Sequence, residues 1–184
     1  VMEEYISKLE SEGKTVYYPA RDTDQVDETG YRICCDNRQA IFEAKKGIKK
    51  KHGGPFGCII VKDNKIISSA HNTVLKDKDP TSHAEINAIR KACKKLKTLD
   101  LSLCELYTTT YPCPMCLGAI LWSRIKKIYY LTDSEDVKKI GFDDLKFYKF
   151  IQGKNKHLLK IEKINSLENK DFNYFLKNYK EKTY

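Results

Sequence analysis

The chain has 184 residues, of which 41% are hydrophobic and 32% are charged. This length accommodates one domain with a substantial core but not two ordinary ones, and the composition is that of a globular protein. No run of eighteen or more apolar residues occurs, which excludes a transmembrane helix and a membrane partner. Residues 1–13 lack the apolar core of a signal peptide, so we expect a cytoplasmic protein.

Lysine supplies most of the formal net charge of +9. The lysines at 45–46 and 49–51 are placed to follow a phosphate backbone, but they lack the arginines and interleaved aromatic residues of a dedicated nucleic-acid groove. A lysine-rich solvated surface explains them as well, and we do not expect a nucleic-acid partner. The seven cysteines are an odd number without an export signal, which favours reduced thiols and a metal site over disulfides.

Residues 1–30 contain few apolar positions, and we interpret them as an N-terminal extension of unknown role. The main globular domain is predicted over residues 31–155, beginning with a helix that Asp36 caps. Gly53-Gly54-Pro55 ends this helix. Two β-rich runs follow at 56–61 and 66–70, and the Asp63-Asn64 pair between them predicts a hairpin.

The sequence Asp79-Pro80-Thr81-Ser82 opens a second predicted helix, and a strand is predicted over 103–110. A third helix starts between Pro112 and Pro114 and is followed by a strand over 125–132. Strands separated by helices predict an α/β sandwich whose sheet is partly parallel. Residues 156–184 are expected to complete the site, with a strand at 158–164 and an amphipathic helix at 172–179.

Two short segments at predicted helix N-termini carry metal-binding residue types: His83-Ala84-Glu85 and Pro112-Cys113-Pro114-Met115-Cys116. A helix N-terminus favours the thiolate form of cysteine, which is the form that binds metal. One histidine and two thiolates provide three ligands for a single zinc ion and leave a fourth position for water. This open pattern is typical of a catalytic site.

Glu85 lies two residues from His83, within reach of a zinc-bound water, and is the candidate catalytic residue that moves protons. The combination H-x-E with P-C-x-x-C is the known signature of zinc-dependent nucleobase deaminases. Each part also has a simpler interpretation. Ser82 and Glu85 have the spacing of a helix capping box, and Cys113 with Cys116 has that of a redox pair or half of a structural zinc knuckle. The joint occurrence of both segments favours the catalytic site.

These segments resemble the cytidine deaminase-like superfamily and, within it, small bacterial-type guanine deaminases. The resemblance rests on Pro55-Phe56-Gly57, on residues 79–85 and 112–120, on Gly141-Phe142-Asp143-Asp144, and on the aromatic residues Phe172, Phe175 and Tyr184 near the end. It implies a three-layer α/β/α sandwich with a central five-stranded mixed sheet, one zinc ion per chain, and a homodimer with exchanged C-terminal segments. The implied reaction is hydrolysis of guanine to xanthine and ammonia. Guanosine or tRNA adenosine deamination is the alternative, and a non-catalytic zinc or redox module is the least favoured.

The resemblance also implies roles for six substrate-contacting residues. Asn72 would hydrogen-bond the purine and Asp144 would accept from its N–H edge, while Phe56 and Trp122 would pack on the ring. Ala84 would line the pocket and Tyr184 would close it. The chain departs from the family at Tyr111, where the usual residue is glutamate; this change leaves the zinc ligands intact but alters the polarity of the neighbouring pocket.

Overall fold

The computed structural model describes residues 33–162 and Lys177. The chain divides into two compact units, one through Tyr148 and one from Lys149 onward. The helices and strands follow one another in this order: α1 Ile33–Lys49, β1 Gly57–Lys62, β2 Lys65–His71, α2 Val74–Asp77, α3 Ala84–Leu96, β3 Glu105–Thr110, α4 Pro114–Trp122, β4 Lys127–Thr132, α5 Ser134–Lys139, α6 Leu145–Ile151, and a 3-10 helix, Lys156–Leu158. No helix among these residues is long and apolar enough to cross a membrane.

The described strands form one mixed sheet in the order β2-β1-β3-β4. β1 is antiparallel to both β2 and β3, whereas β3 and β4 are parallel, with α4 as the crossover helix between them. The α/β class and the partly parallel sheet are therefore confirmed. Within residues 33–162 the sheet has four strands rather than the five expected, because Leu158 belongs to a 3-10 helix and no strand forms over 159–162.

Alternation along β1 sends successive side chains to opposite faces of the sheet. Cys58 and Ile60 pack in a buried cluster with Ala84, Ala88 and Ala92 of α3, while Ile59 and Val61 form a second cluster with Tyr107. Close packing of α1 requires a glycine in β1: a Cβ at Gly57 would lie 2.0 Å from the Ala40 carbonyl oxygen. Helices on both faces thus give the expected three-layer sandwich.

Several element boundaries differ from those expected. Helix α1 begins at Ile33, upstream of Asp36, so Asp36 is not its N-cap. The short helices α2, α5 and α6 were not predicted, because four to seven residues are too few to display a helical repeat. The N-terminal extension, the residues at 163–164 of the expected fifth strand and the C-terminal helix lie outside the described residues, apart from Lys177, which is helical.

Candidate active site

Strand directions bring the candidate residues to one edge of the sheet. Because β1 is antiparallel to its neighbours, its start lies beside the ends of β2 and β3, and β4 ends at the same edge as β3. Phe56 directly precedes β1, Asn72 directly follows β2, and Cys113 lies three residues beyond β3. In open α/β sheets, ligands bind outside the carboxyl ends of strands, as they would here.

His83, Cys113 and Cys116 lie together at two helix N-termini. His83 is the N-cap of α3, Cys113 is the N-cap of α4, and Cys116 lies in the first turn of α4. The two sulfur atoms are 3.7 Å (Cys113) and 3.5 Å (Cys116) from His83 Nδ1. All three donor atoms lie within 4.8 Å of one another, as ligands of one metal ion do.

The spacing of these donors fits zinc. Bonds of about 2.3 Å to sulfur and about 2.0 Å to nitrogen at a tetrahedral angle place the two atoms about 3.5 Å apart. The observed separations of 3.5 and 3.7 Å match this value, and they identify Nδ1 as the ligating nitrogen of His83. The three residues are the only such group among the residues that the structure describes, which leaves a fourth position open.

The protonation of the three ligands is strongly coupled. A hydrogen bond from Cys116, aided by His83, lowers the pKa of Cys113 to about 4, against the effect of burial. The same contact with Cys113, together with burial, raises the pKa of Cys116. The hydrogen bond with Cys113 likewise raises the pKa of His83. Because the pKa values of Cys116 and His83 are raised, zinc binding would have to release protons from these groups.

Glu85 is buried beside the metal ligands. Its Oε1 accepts a 3.0 Å hydrogen bond from the Thr108 hydroxyl, and its Oε2 is 3.5 Å from Cys116 Sγ. Burial raises the pKa of the carboxyl group. The capping-box interpretation is wrong, because His83 rather than Ser82 is the N-cap and the Ser82 hydroxyl donates to Asp79 instead. A buried carboxyl group that contacts a ligand is placed for proton transfer.

Asn72 is buried at the end of β2 with a defined orientation. Its Oδ1 accepts the backbone N–H groups of Gly54 at 3.2 Å and Val74 at 3.1 Å. Since only the carbonyl oxygen accepts hydrogen bonds, these contacts fix the amide rotamer and leave the Nδ2 group as the donor. The approach of Gly53 is close, because a Cβ there would lie 2.0 Å from Asn72 Oδ1.

Asp144 carries a carboxylate oxygen that is buried and receives no hydrogen bond of ordinary geometry within the described residues. Burial and the nearby negative charge of Cys113 raise the pKa of this carboxyl group. Asp144 in turn contributes to the raised pKa of His83, so it lies close to the metal ligands. The Ser134 hydroxyl lowers the pKa of the same carboxyl group and so lies near it, but it too is buried without a hydrogen bond of ordinary geometry. A buried acceptor of this kind is expected where a substrate supplies the donor.

Phe142 brings the segment before Asp144 against Phe56. The two rings meet edge-on with their centroids 4.9 Å apart, and Phe56 also packs against the buried core cluster. Ala84 is fully buried in that cluster, so a substrate would meet its backbone rather than its methyl group. Trp122 is at the end of α4 with 71% of its surface exposed, so it is not a core residue.

Tyr111 belongs to an aromatic cluster next to the segment that leads from β3 to Cys113. Its ring meets Tyr130 edge-on at 5.1 Å and Tyr148 at 6.1 Å. The Tyr148 hydroxyl donates to the carbonyl oxygen of Pro112, the residue before Cys113. Aromatic side chains therefore occupy the place of the glutamate that the family resemblance leads one to expect.

Two residues of the site were not predicted from the sequence. Thr108 contacts Glu85, and Tyr148 contacts Pro112, which precedes the ligand Cys113. Thr108 is a buried polar residue in β3, and strand alternation alone does not reveal its partner across 23 residues. His83, Cys113, Cys116, Glu85 and Asp144 are brought together as expected, and Asn72 and Phe56 lie at the same sheet edge. Tyr184 lies outside the described residues.

Residues 37–132 match the model of the cytidine and deoxycytidylate deaminase zinc-binding region. The chain belongs to this family, whose members are zinc-dependent hydrolytic deaminases, and His83, Cys113 and Cys116 are positioned to bind the metal.

Comparisons with individual proteins narrow this class. A guanine deaminase from Bacillus subtilis is 49% identical over 114 residues, which are 62% of this chain and 73% of that protein. The X-ray structure of guanine deaminase from the same organism superposes with a TM-score of 0.76 at 39% identity, covering 82% of this chain and 97% of that one. A tRNA-specific adenosine deaminase from Aquifex aeolicus is 50% identical over 91 residues, but these are only 50% of this chain and 60% of that protein.

Proposed function

We propose that the protein hydrolyses guanine to xanthine and ammonia. The observation that carries the choice of guanine is the buried Asp144 oxygen near Cys113, which receives no hydrogen bond of ordinary geometry from the described residues. Guanine presents a ring N–H and an amino group to such an acceptor. Adenine and cytosine present ring nitrogens that accept hydrogen bonds on the corresponding edge, and a carboxylate would repel them.

The proposal draws further support from the similarity to guanine deaminases, which extends beyond the zinc-binding region to 82% of this chain in the structural comparison. In the same kind of comparison, a structure from a study of tRNA:A34 deaminases covers 54% of this chain at a TM-score of 0.52. Adenosine in tRNA therefore remains the second candidate, and guanosine is a substrate that the same set of contacts would also suit.

The zinc ligands, Glu85 and Thr108 have different roles in the proposed reaction. Zinc held by His83, Cys113 and Cys116 would activate a water molecule at neutral pH. Glu85 would accept one proton from that water and deliver it to the ring nitrogen as the oxygen bonds to the amino-bearing carbon. It would then carry the second proton from the added hydroxyl group to the amino group, so that the C–N bond breaks and water and guanine yield xanthine and ammonia. Thr108 holds the carboxyl group in place during both transfers, through its 3.0 Å hydrogen bond.

The remaining contacts orient the base. The Asn72 Nδ2 group donates to an acceptor of the purine, and Asp144 accepts from the N–H edge. Phe56 packs on the ring, and the exposed Trp122 would join it at the open side of the site. Because Asn72 donates a hydrogen bond and Asp144 accepts one, the purine ring can bind in only one orientation. This orientation places its amino-bearing carbon next to the water.

We further propose that the cytoplasmic protein is a homodimer with exchanged C-terminal segments and that Tyr184 closes the site. In this arrangement, residues 1–30 form an extension, residues 31–155 the catalytic domain, and residues 156–184 its completion. The family resemblance supports these assignments, and sedimentation analysis of the full chain tests the dimer.

A panel that measures ammonia release from guanine, guanosine, adenosine, cytosine and a tRNA stem-loop tests the proposed substrate. We expect the highest kcat/KM for guanine. Preference for the stem-loop, with binding that weakens steeply as salt is added, would favour the tRNA function instead. Absence of ammonia from every substrate, with zinc retained, would indicate a non-catalytic zinc module.

A further inference from the structure

A chain of hydrogen-bonded side chains outside the metal site connects α1 with the loop that contacts Asn72. His71 Nδ1 is 3.0 Å from Glu43 Oε2, and His71 Nε2 is 2.9 Å from His52 Nδ1. Glu43 is buried, and its other oxygen accepts from Ser69 at 3.3 Å and from Lys46 at 3.2 Å. Both histidines therefore have definite partners, although the sequence alone gave them no role.

The Glu43 carboxylate sets the direction of the hydrogen bonds that it receives. Hydrogen bonds from His71 and Lys46 lower the pKa of Glu43 against the effect of its burial, so the group is an ionised acceptor. His71 therefore carries a proton on Nδ1 and donates it to Glu43. One proton lies between His71 Nε2 and His52 Nδ1, and the protonation of the two rings sets which nitrogen donates it.

The two histidines flank the segments that hold Asn72. His71 immediately precedes Asn72, and His52 immediately precedes the Gly53-Gly54 pair, whose second N–H donates to Asn72 Oδ1. The His52 carbonyl oxygen accepts the N–H groups of Leu75 and Lys76 at 2.9 and 3.0 Å. His52 thus joins both segments through its backbone and connects them to α1 through its ring.

The His71 ring has little freedom to move. A Cβ at Gly47 of α1 would lie 2.9 Å from His71 Cδ2, so the helix backbone packs directly on the ring. Glu43 fixes one ring nitrogen and His52 the other. The His71 ring therefore holds the His52–Gly54 segment at a fixed position relative to α1.

We propose that His52 and His71 are positioning residues that hold the Asn72 carboxamide in the orientation needed to bind the purine. This inference rests on the proposed function, because it assigns Asn72 to the substrate. Without the connection to Glu43, the Gly54 N–H is free to shift, and Asn72 Oδ1 loses one of its two donors. Weaker binding of the purine by a displaced carboxamide, in the ground state and the transition state alike, raises KM without changing kcat.

Two substitutions at His52 test the connection. His52→Phe keeps a ring but removes the polar nitrogen that faces His71, whereas His52→Asn retains a side-chain amide, which can donate or accept, at the same distance from Cβ as Nδ1. We expect His52→Phe to raise KM for guanine about 10-fold with little change in kcat, as loss of ground-state binding does. His52→Asn is expected to restore most of the affinity, and Lys65→Gln, on an exposed residue at the opposite end of β2 from His71, serves as the control.

A double-mutant cycle separates positioning from general stability. If His52 acts through Asn72, His52→Phe adds no further increase in KM in the Asn72→Ala background. His71→Asn, which keeps the donor to Glu43 but loses the bond to His52, should behave like His52→Phe. Because His52 is only partly buried, His52→Phe remains informative even if His71→Asn fails to fold.

Amide hydrogen exchange gives a readout that does not need activity. Faster exchange of the Gly54 and Val74 N–H groups in His52→Phe, with exchange in the rest of the domain and zinc content unchanged, supports the inference. Unchanged exchange with unchanged KM overturns it, as do additive effects in the cycle. If the parent protein releases no ammonia from guanine, the proposed function fails, and the exchange rates alone decide whether the histidines position Asn72.

Discussion

Replacing Glu85 with glutamine removes the proposed proton carrier while leaving its surroundings nearly unchanged. The amide oxygen still accepts the hydrogen bond that Thr108 now donates at 3.0 Å, and the amide nitrogen occupies the place of Oε2, 3.5 Å from Cys116. Because Glu85 does not belong to the ligand group, zinc should remain bound. The substitution therefore changes the chemistry of one buried group and little else.

The expected loss follows from the role assigned to this carboxyl group. General acid–base catalysis contributes about 10²- to 10⁴-fold, which corresponds to about 2.7–5.5 kcal/mol of transition-state stabilisation. We expect kcat to fall by at least this factor. The Tm of the metal-free protein should rise, because burial raises the pKa of the carboxyl group and a neutral amide avoids the cost of a buried charge.

Ammonia release at saturating guanine, metal analysis and thermal unfolding measure the three quantities. Glu105→Gln is a matched control, since this partly buried carboxylate binds Tyr107 and Lys127 rather than the metal ligands. Turnover of Glu85→Gln within a few-fold of the parent enzyme would refute the proton-transfer role. A loss of turnover accompanied by loss of zinc would show instead that the side chain supports the metal site.

Three further predictions concern the metal, the substrate and the C-terminus. Zinc affinity, measured by chelator competition, should rise about tenfold per pH unit for each proton released. The reason is that the pKa values of Cys116 and His83 are raised, so these groups must lose protons when zinc binds. A zinc affinity that does not change with pH would contradict this prediction. Asp144→Asn should lower kcat/KM for guanine by ~10²-fold or more with zinc content unchanged, and parent-like kinetics would remove the main support for guanine. Deletion of residues 180–184 should leave a folded, zinc-loaded protein with markedly less deamination, whereas full activity would leave Tyr184 without a function in the reaction.

The metal site could be predicted because its information is local. Cys113 and Cys116 are three residues apart at a helix start, and His83 with Glu85 occupies another, so spacing and helix-end chemistry suffice to identify them. The alternation of longer helices and strands was predictable for the same reason. What spacing could not give was the partner of Glu85, because Thr108 is 23 residues away and meets it only when β3 pairs with β1.

The contacts of His52 and His71 are even less accessible to prediction from local sequence patterns. His52 and His71 are 19 residues apart, and Glu43 is 28 residues from His71, so no local pattern relates the three groups. They come together only because α1 packs across β1 and β2. The register of the hairpin, which pairs Gly57 with His71, then sets the final residue of β2 beside the start of β1. Tertiary packing supplies this information and sequence periodicity does not.

At the sheet edge, the residues proposed for hydrolysis and those proposed for substrate choice lie in different parts of the fold, so natural selection can change these two properties independently. The zinc ligands are at the first turns of two packed helices, where any shift disturbs the core. Asp144 instead lies in the connecting segment between α5 and α6, and such segments tolerate insertion and exchange far better. With the substrate contact proposed for Asp144, a lineage with this scaffold could acquire a new substrate by altering the connection after α5, without giving up hydrolysis during the transition.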